Sequence, residues 1–123
     1  MIMRTTQRKG DTAVAQAIAT FTRCGYDVSL PLTESAPYDV VVDTGKMLYR
    51  VQVRYFSNKQ VDLRQIHSNS NGYVIKKMKT KTYDWLYLLH QSGEEYLYKQ
   101  CFIGRRALNP KGSNLIAKVL KPH

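Results

Sequence analysis

Acidic residues and cysteines are scarce in this sequence, and long apolar runs are absent. Cys24 and Cys101 stand far apart and outside any CxxC or Cys–His spacing, which argues against a disulfide scaffold and a structural zinc site. No run approaches the roughly 18–20 apolar residues of a membrane span, and the first ten residues lack the apolar stretch of a signal peptide. We therefore expect a cytoplasmic protein without a membrane partner, folded as one domain over residues 1–123.

The 9 acidic residues stand against 19 basic ones, and the basic excess is unevenly distributed. Residues 46–81 contain nine basic residues and a single acid, Asp62, while residues 99–123 contain six basic residues and no acid. A polyanion is the natural partner of two such segments, so the charge pattern favours nucleic acid. The other reading, a generally basic soluble protein, stays open at this point.

The hydrophobic pattern predicts a helix, a strand, a hairpin, a polar stretch, a second hairpin and a terminal helix, in that order. The first helix is predicted to be capped by Asp11 or Thr12 and to end before Gly25, and Ser113 is the predicted cap of the last. The predicted strands are Tyr26–Leu30, Val40–Val42, Met47–Tyr55, Asp84–His90 and Glu95–Phe102, with a further short strand from Tyr73. This order indicates an α/β fold of the mixed α+β type, with helices packed against one sheet.

An acid and a polar pair stand out on the first predicted hairpin. Asp39 opens one strand, and Gln52 and Arg54 lie two apart on the next, so that their side chains point to the same face. Mg²⁺ prefers oxygen ligands, which the Asp39 carboxylate, the Gln52 side-chain carbonyl and the Val53 backbone carbonyl can supply. This arrangement suits a divalent metal, Mg²⁺ or Mn²⁺, held beside a phosphate.

Asp39 followed by Gln52-Val53-Arg54 resembles the PD-(D/E)XK nuclease family, whose pattern is an acid, then an acid or Gln, one apolar residue and Lys. The resemblance covers roughly residues 8–56. It is greatest to the small intron-encoded homing endonucleases, with the archaeal Holliday-junction resolvases second. It implies a mixed central sheet flanked by helices and a metal-dependent endonuclease acting on double-stranded DNA. It also implies catalytic roles for Asp39, Gln52 and Arg54, and a homo-oligomer, either a dimer or a tetramer.

Two positions depart from that family pattern. Arg54 stands where the family has Lys, and Val14 falls where many members carry a Glu on the first helix. Because Arg cannot act as a base, Arg54 is expected to clamp the scissile phosphate and stabilise its developing charge. Asp11 and Asp43 are candidates to supply a further charge. The departures leave open a DNA-binding protein with a decayed site and, on charge and size alone, a small RNA-binding protein.

The basic residues that follow the first hairpin strand are the predicted contacts to DNA. The polar stretch after Phe56 places hydrogen-bonding side chains beside cations, and Arg105-Arg106 forms a compact basic corner suited to phosphates and guanine edges. The predicted DNA-binding residues are Arg50, Lys59, Arg64, Lys76, Lys77, Lys79, Lys81, Arg105 and Arg106. The alternative reading of the polar stretch is a mobile surface loop.

Overall fold

The computed structural model describes the backbone of residues 5–69, 72–76 and 81–120, and the side chains of residues 6–64 and 81–120. The elements are α1 (Thr5–Arg23), β1 (Asp27–Ser29), β2 (Val40–Asp43), β3 (Leu48–Phe56), β4 (Val61–Asp62), β5 (Gln65–Asn69), β6 (Gly72–Lys76), β7 (Trp85–His90), β8 (Glu95–Tyr98), β9 (Ala107–Leu108), a 3₁₀ turn (Gly112–Asn114) and α2 (Ile116–Val119). No helix in this described part of the chain is long and apolar enough to cross a membrane.

The centre of the fold is a five-stranded mixed sheet with strand order β1-β2-β3-β7-β8. β3 and β7 run parallel, with Val51 opposite Trp85, and the other neighbouring strands are antiparallel. β-branched residues dominate β2 and favour the extended pleated surface. Gly45, at φ +89°, takes the left-handed conformation that the tight turn into β3 requires. The predicted mixed α/β class with a central sheet is therefore confirmed.

Helix α1 covers one face of this sheet. Ala13, Ala17 and Phe21 recur on one side of the helix and are fully buried, together with Val51 and Val53 of β3. The small alanines allow the helix to approach the strands closely, and the burial of apolar surface holds the two layers together. Alternation along β3 consequently sends the intervening side chains to the opposite face of the sheet.

A series of side-chain hydrogen bonds connects α1 to β7 and β8. The buried Tyr87 hydroxyl donates to Glu95 Oε2 at 2.6 Å, Thr20 Oγ1 donates to the same oxygen at 2.5 Å, and Gln16 Nε2 donates to Thr20 Oγ1 at 3.1 Å. Burial and the neighbouring Glu95 raise the pKa of Tyr87 far above its usual value, so that the phenol remains a neutral donor. These bonds satisfy polar groups that would otherwise be costly to bury.

The opposite face of the sheet carries a second apolar cluster under a small two-stranded sheet. β4 pairs antiparallel with β9, and Val61 and Leu108 from these strands are buried against Phe56, Leu86 and Leu88 of the main sheet. This face also receives Gln52 and Arg54, since they alternate with the residues buried under α1. The small sheet therefore lies beside the predicted catalytic pair.

The structure corrects the boundaries of both helices. α1 already runs from Thr5, and Thr12 is not its cap but donates through Oγ1 to Arg8 O, four residues back, at 2.8 Å. Gly25, at φ +88°, ends the helix as predicted. Ser113 lies inside the 3₁₀ turn, and the terminal helix is reduced to the four residues of α2, whose N-cap has no side-chain bond.

The polar stretch after Phe56 is not a loop throughout. It contains β4, and its continuation forms an antiparallel hairpin of β5 and β6, with Gln65 opposite Lys76. The predicted short strand from Tyr73 corresponds to β6, whereas β4 and β5 were not predicted. β8 is shorter than predicted and ends at Tyr98.

Candidate active site

Asp39 lies at the point where β2 and β3 separate. Its backbone N–H donates to Val51 O at 2.9 Å, one residue before β2 begins. Its carboxylate oxygen Oδ2 accepts two hydrogen bonds, from Gln52 Nε2 at 2.8 Å and from the Val53 N–H at 2.8 Å. The half-buried carboxylate thus accepts the Val53 N–H bond that a backbone carbonyl of a neighbouring strand would otherwise accept. It is also held beside the Gln52 amide.

Arg54 projects from the same face of β3 as Gln52, two residues further along the strand. Both side chains are half-buried, while Val51, Val53 and Phe56 around them are buried. The Arg54 guanidinium therefore lies on the same face of β3 as the Gln52 amide, which is hydrogen-bonded to the Asp39 carboxylate.

The oxygen donors at Asp39 suit a hard divalent cation. The Gln52 amide directs its nitrogen at Asp39 in this structure and would have to rotate to offer its oxygen to a metal, while the Val53 carbonyl points to the same side of β3 as its N–H. Mg²⁺ takes such ligands and retains several waters, so a site with one carboxylate fits it but holds it weakly. Among residues 6–64 and 81–120 no cluster of three or more His, Cys, Asp or Glu side chains could hold a metal.

The other carboxylates considered for the site have different positions in the fold. Asp43 Oδ1 accepts a hydrogen bond from the Gly45 N–H at 2.8 Å and so stabilises the β2–β3 turn. Val14 packs against the apolar cluster under α1, so the helix brings no carboxylate at that position. Asp11, on α1, is exposed to solvent. Asp39 is consequently the carboxylate on which the proposed metal site depends.

Two predicted DNA contacts, Arg50 and Lys81, both form ion pairs with Asp84. Arg50 donates to Asp84 through Nε at 3.2 Å and Nη2 at 3.3 Å, and the Lys81 ammonium lies 3.4 Å from Asp84 Oδ1. The hydrogen bond with Asp84 raises the pKa of Arg50. Asp84 also accepts a hydrogen bond from the Arg50 backbone N–H at 2.8 Å. Asp84 directly before β7 and Asp39 directly before β2 therefore both bind a backbone N–H of β3. Sequence reasoning missed Asp84, although an acid directly before an apolar strand is the same signal that singled out Asp39.

Most of the other predicted DNA contacts meet at the small sheet. The Leu63 N–H donates to Arg106 O at 2.9 Å, which joins the two basic segments of the sequence. An open cleft of about 670 Å³ is lined there by Asn58, Lys59, Gln60, Asp62, Arg64, Arg106 and Ala107. Arg105 lines a neighbouring cleft and lies over the Phe102 ring at 5.3 Å. Of the remaining predicted contacts, Lys77 and Lys79 and the side chain of Lys76 lie outside the described residues.

Comparison with known proteins decides the family. The family model described as PD-(D/E)XK endonuclease matches residues 4–100, which include α1, the Asp39 hairpin and the strands up to β8. The chain belongs to the PD-(D/E)XK endonuclease family. This confirms the resemblance seen in the short Asp39 and Gln52-Val53-Arg54 pattern.

A solved structure with the same fold as this PD-(D/E)XK endonuclease is that of a bacterial homing endonuclease, I-Ssp6803I. The two chains are 24% identical with a TM-score of 0.73, and the match covers 86% of this chain and 78% of that one. The likeness confirms the fold that the homing endonuclease resemblance implies. A comparison with curated proteins finds no match.

Proposed function

We propose that this PD-(D/E)XK endonuclease is a metal-dependent enzyme that hydrolyses phosphodiester bonds in double-stranded DNA, at specific sites as homing enzymes do. The observation that carries the proposal is the Asp39–Gln52 hydrogen bond at the mouth of the hairpin, with Arg54 on the same face. The structural likeness to a homing endonuclease supports the choice of DNA and of site-specific cleavage.

Each side chain of the site has a distinct task in this proposal. Asp39, Gln52 and the Val53 carbonyl would hold Mg²⁺ or Mn²⁺, which when bound polarises the phosphate and lowers the pKa of an attacking water. Arg54 grips the scissile phosphate and stabilises the charge that develops on its oxygens. Because a guanidinium stays protonated, Arg54 does not remove the proton from the water.

The DNA is proposed to run from this site over the small sheet. The cleft there combines Lys59, Arg64 and Arg106 with asparagine and glutamine side chains, which are the residue types that contact phosphates and base edges. Arg105 extends the basic surface. A reducing, cytoplasmic location is proposed as well, because both cysteines are free thiols.

A homo-oligomer, either a dimer or a tetramer, is proposed as the working form, since two-fold symmetry presents two sites to the two strands of a duplex. Exposed apolar side chains follow β1 and lie at the start of β3: Leu32 is fully exposed, and Leu30, Met47 and Leu48 are more than half exposed. We expect sedimentation velocity at micromolar concentration to show an assembly. A monomer both with and without DNA would contradict this.

The nuclease proposal is tested by nicking of supercoiled plasmid. We expect nicked and linear products with Mg²⁺ or Mn²⁺ and none with EDTA, because the site depends on a divalent cation. The rival is a DNA-binding protein with a decayed site, favoured by Arg54 in place of the family Lys and by Val14 in place of the helix Glu. Plasmid that is bound in a gel shift but never nicked, with either metal, would support that rival.

A further inference from the structure

Asp62 and Arg64 form an ion pair on the small sheet that stability does not explain. Val61 and Leu63 are buried, so alternation along the chain turns Asp62 and Arg64 outward. Their side chains are 50% and 31% exposed, respectively. An exposed pair of this kind contributes little to folding.

The pair fixes the orientation of the Arg64 guanidinium. Arg64 donates from Nε to Asp62 Oδ1 at 3.1 Å and from Nη2 to Asp62 Oδ2 at 3.0 Å, and its backbone N–H donates to Oδ1 at 2.9 Å. Two parallel side-chain bonds hold the guanidinium plane, and the backbone bond holds the carboxylate in the same turn. A side chain already held in this way loses less conformational entropy when it binds a ligand.

The bonds to Asp62 leave the outer edge of the guanidinium open for a ligand. Arg has five N–H donors, of which the Asp62 carboxylate takes two, so both Nη1 hydrogens and one on Nη2 remain. Those two neighbouring nitrogens match the O6 and N7 acceptors that guanine presents in the major groove. They also match a phosphate, so the surroundings of Arg64 decide between the two ligands.

The surroundings favour a base edge over a phosphate. The Asp62 carboxylate is half exposed next to Arg64 and repels a phosphate. On a base edge the same carboxylate is useful, because Asp accepts from the cytosine N4 amino group. Arg106, across the small sheet, has no carboxylate within ion-pairing distance in the described part of the chain and so suits a phosphate.

The pair also lies close to the catalytic face. Hydrogen bonds from Arg64 lower the pKa of Asp62, and the charge on Arg54 lowers it further. β4 packs on the face of the main sheet that carries Gln52 and Arg54. DNA seated at Arg54 therefore passes within reach of Arg64.

We propose that Arg64, oriented by Asp62, is a specificity-determining residue that reads a guanine in the major groove of the DNA substrate. The inference rests on the proposed function, because it takes DNA as the substrate. In this proposal Arg64 contacts a base, and residues such as Arg106 contact phosphates.

Selection from a randomised duplex library in EDTA tests this inference without cleavage. We expect wild-type protein to enrich a sequence with a fixed guanine, and Arg64→Lys to lose about 5- to 150-fold of discrimination at that one position. Lysine keeps the charge, so affinity for non-specific duplex should change little. Asp62→Asn removes one of the two carboxylate oxygens and should weaken the same guanine preference.

Arg106→Ala is the matched control. It should lower affinity for all sequences alike and leave the enriched sequence unchanged, as expected for a phosphate contact. An enriched sequence that is identical for wild type, Arg64→Lys and Asp62→Asn would overturn the inference while leaving the proposed nuclease function standing. Wild-type binding without any enriched base would also overturn it. Absence of DNA binding by the wild type would overturn the proposed function and this inference together.

Discussion

Asp39→Asn is expected to abolish measurable DNA cleavage, with a loss in rate on the order of 10⁴- to 10⁶-fold, as for other single catalytic residues. The physical reason is that Asp39 is the carboxylate on which the proposed metal site depends, because Val14 of α1 is apolar, Asp11 of α1 is exposed and Asp43 is bonded within the β2–β3 turn. An amide oxygen carries no charge and binds Mg²⁺ much more weakly. Single-turnover cleavage of a short duplex or plasmid gives the rate.

The Asp39→Asn variant should fold and bind DNA normally. In the wild type a single oxygen, Asp39 Oδ2, accepts from both Gln52 Nε2 and the Val53 N–H. Asparagine still has one oxygen that can accept both bonds, so the hairpin keeps its geometry. Removing a negative charge next to the phosphate also removes repulsion when no metal is bound, so affinity in EDTA should stay equal or rise slightly.

Asp43→Asn is the matched control for Asp39→Asn. Asp43 lies on the same strand, but its carboxylate accepts from the Gly45 N–H in the turn, a bond that asparagine can also make. We expect wild-type cleavage from this variant. Cleavage that persists unchanged in Asp39→Asn, or that disappears equally in both variants, would show that Asp39 is not the metal-binding carboxylate.

Arg54→Ala is expected to lower the cleavage rate by about 10²- to 10³-fold, which is the usual effect of removing one group that stabilises transition-state charge. Arg54 shares its face with Gln52 and lies beyond the metal ligands along β3, so its guanidinium can grip the phosphate on the side away from Asp39. Binding should fall much less than the rate, since several other cations are proposed to contact the DNA backbone.

Arg54→Lys tests whether this position acts only as a phosphate clamp. Lysine keeps the positive charge but lacks the two-point grip, so a clamp predicts a rate between those of wild type and Arg54→Ala. A rate above wild type would instead assign water activation to this position. Arg23→Ala, at the exposed end of α1, is the control for the loss of one positive charge. An unchanged rate in Arg54→Ala would remove Arg54 from the site.

Local sequence signals predicted the hairpin that carries the candidate site, because a hairpin depends on neighbours along the chain. The Val40–Val42 run, the turn at Gly45 and the alternation through Gln52 and Arg54 fix two adjacent antiparallel strands and their faces. Asp39 was found because an acid directly before a β-branched run is unusual. The hydrogen bond between Asp39 and Gln52 follows from that register.

The rest depends on contacts between distant segments, for which the sequence carries little signal. β4 and β9 are two residues each, too short for a periodic pattern, and they exist because Asp62 pairs with Ala107 across the fold. The polar composition of the stretch after Phe56 concealed β4, which is held by this pairing, and β5, which pairs with β6. The ion pair between Arg50 and Asp84 was not predicted, because Asp84 directly precedes a parallel strand far along the chain.

Mn²⁺ binding to the protein–duplex complex, measured by electron paramagnetic resonance, is the most direct test that Asp39 and Gln52 hold a metal. Titrations compare wild type with Asp39→Asn, each saturated with a short duplex, after subtraction of the Mn²⁺ bound by the duplex alone. We expect the wild-type complex to take up Mn²⁺ that the Asp39→Asn complex does not, with Asp43→Asn behaving as wild type. Equal Mn²⁺ uptake by wild type and Asp39→Asn would contradict a metal site at Asp39.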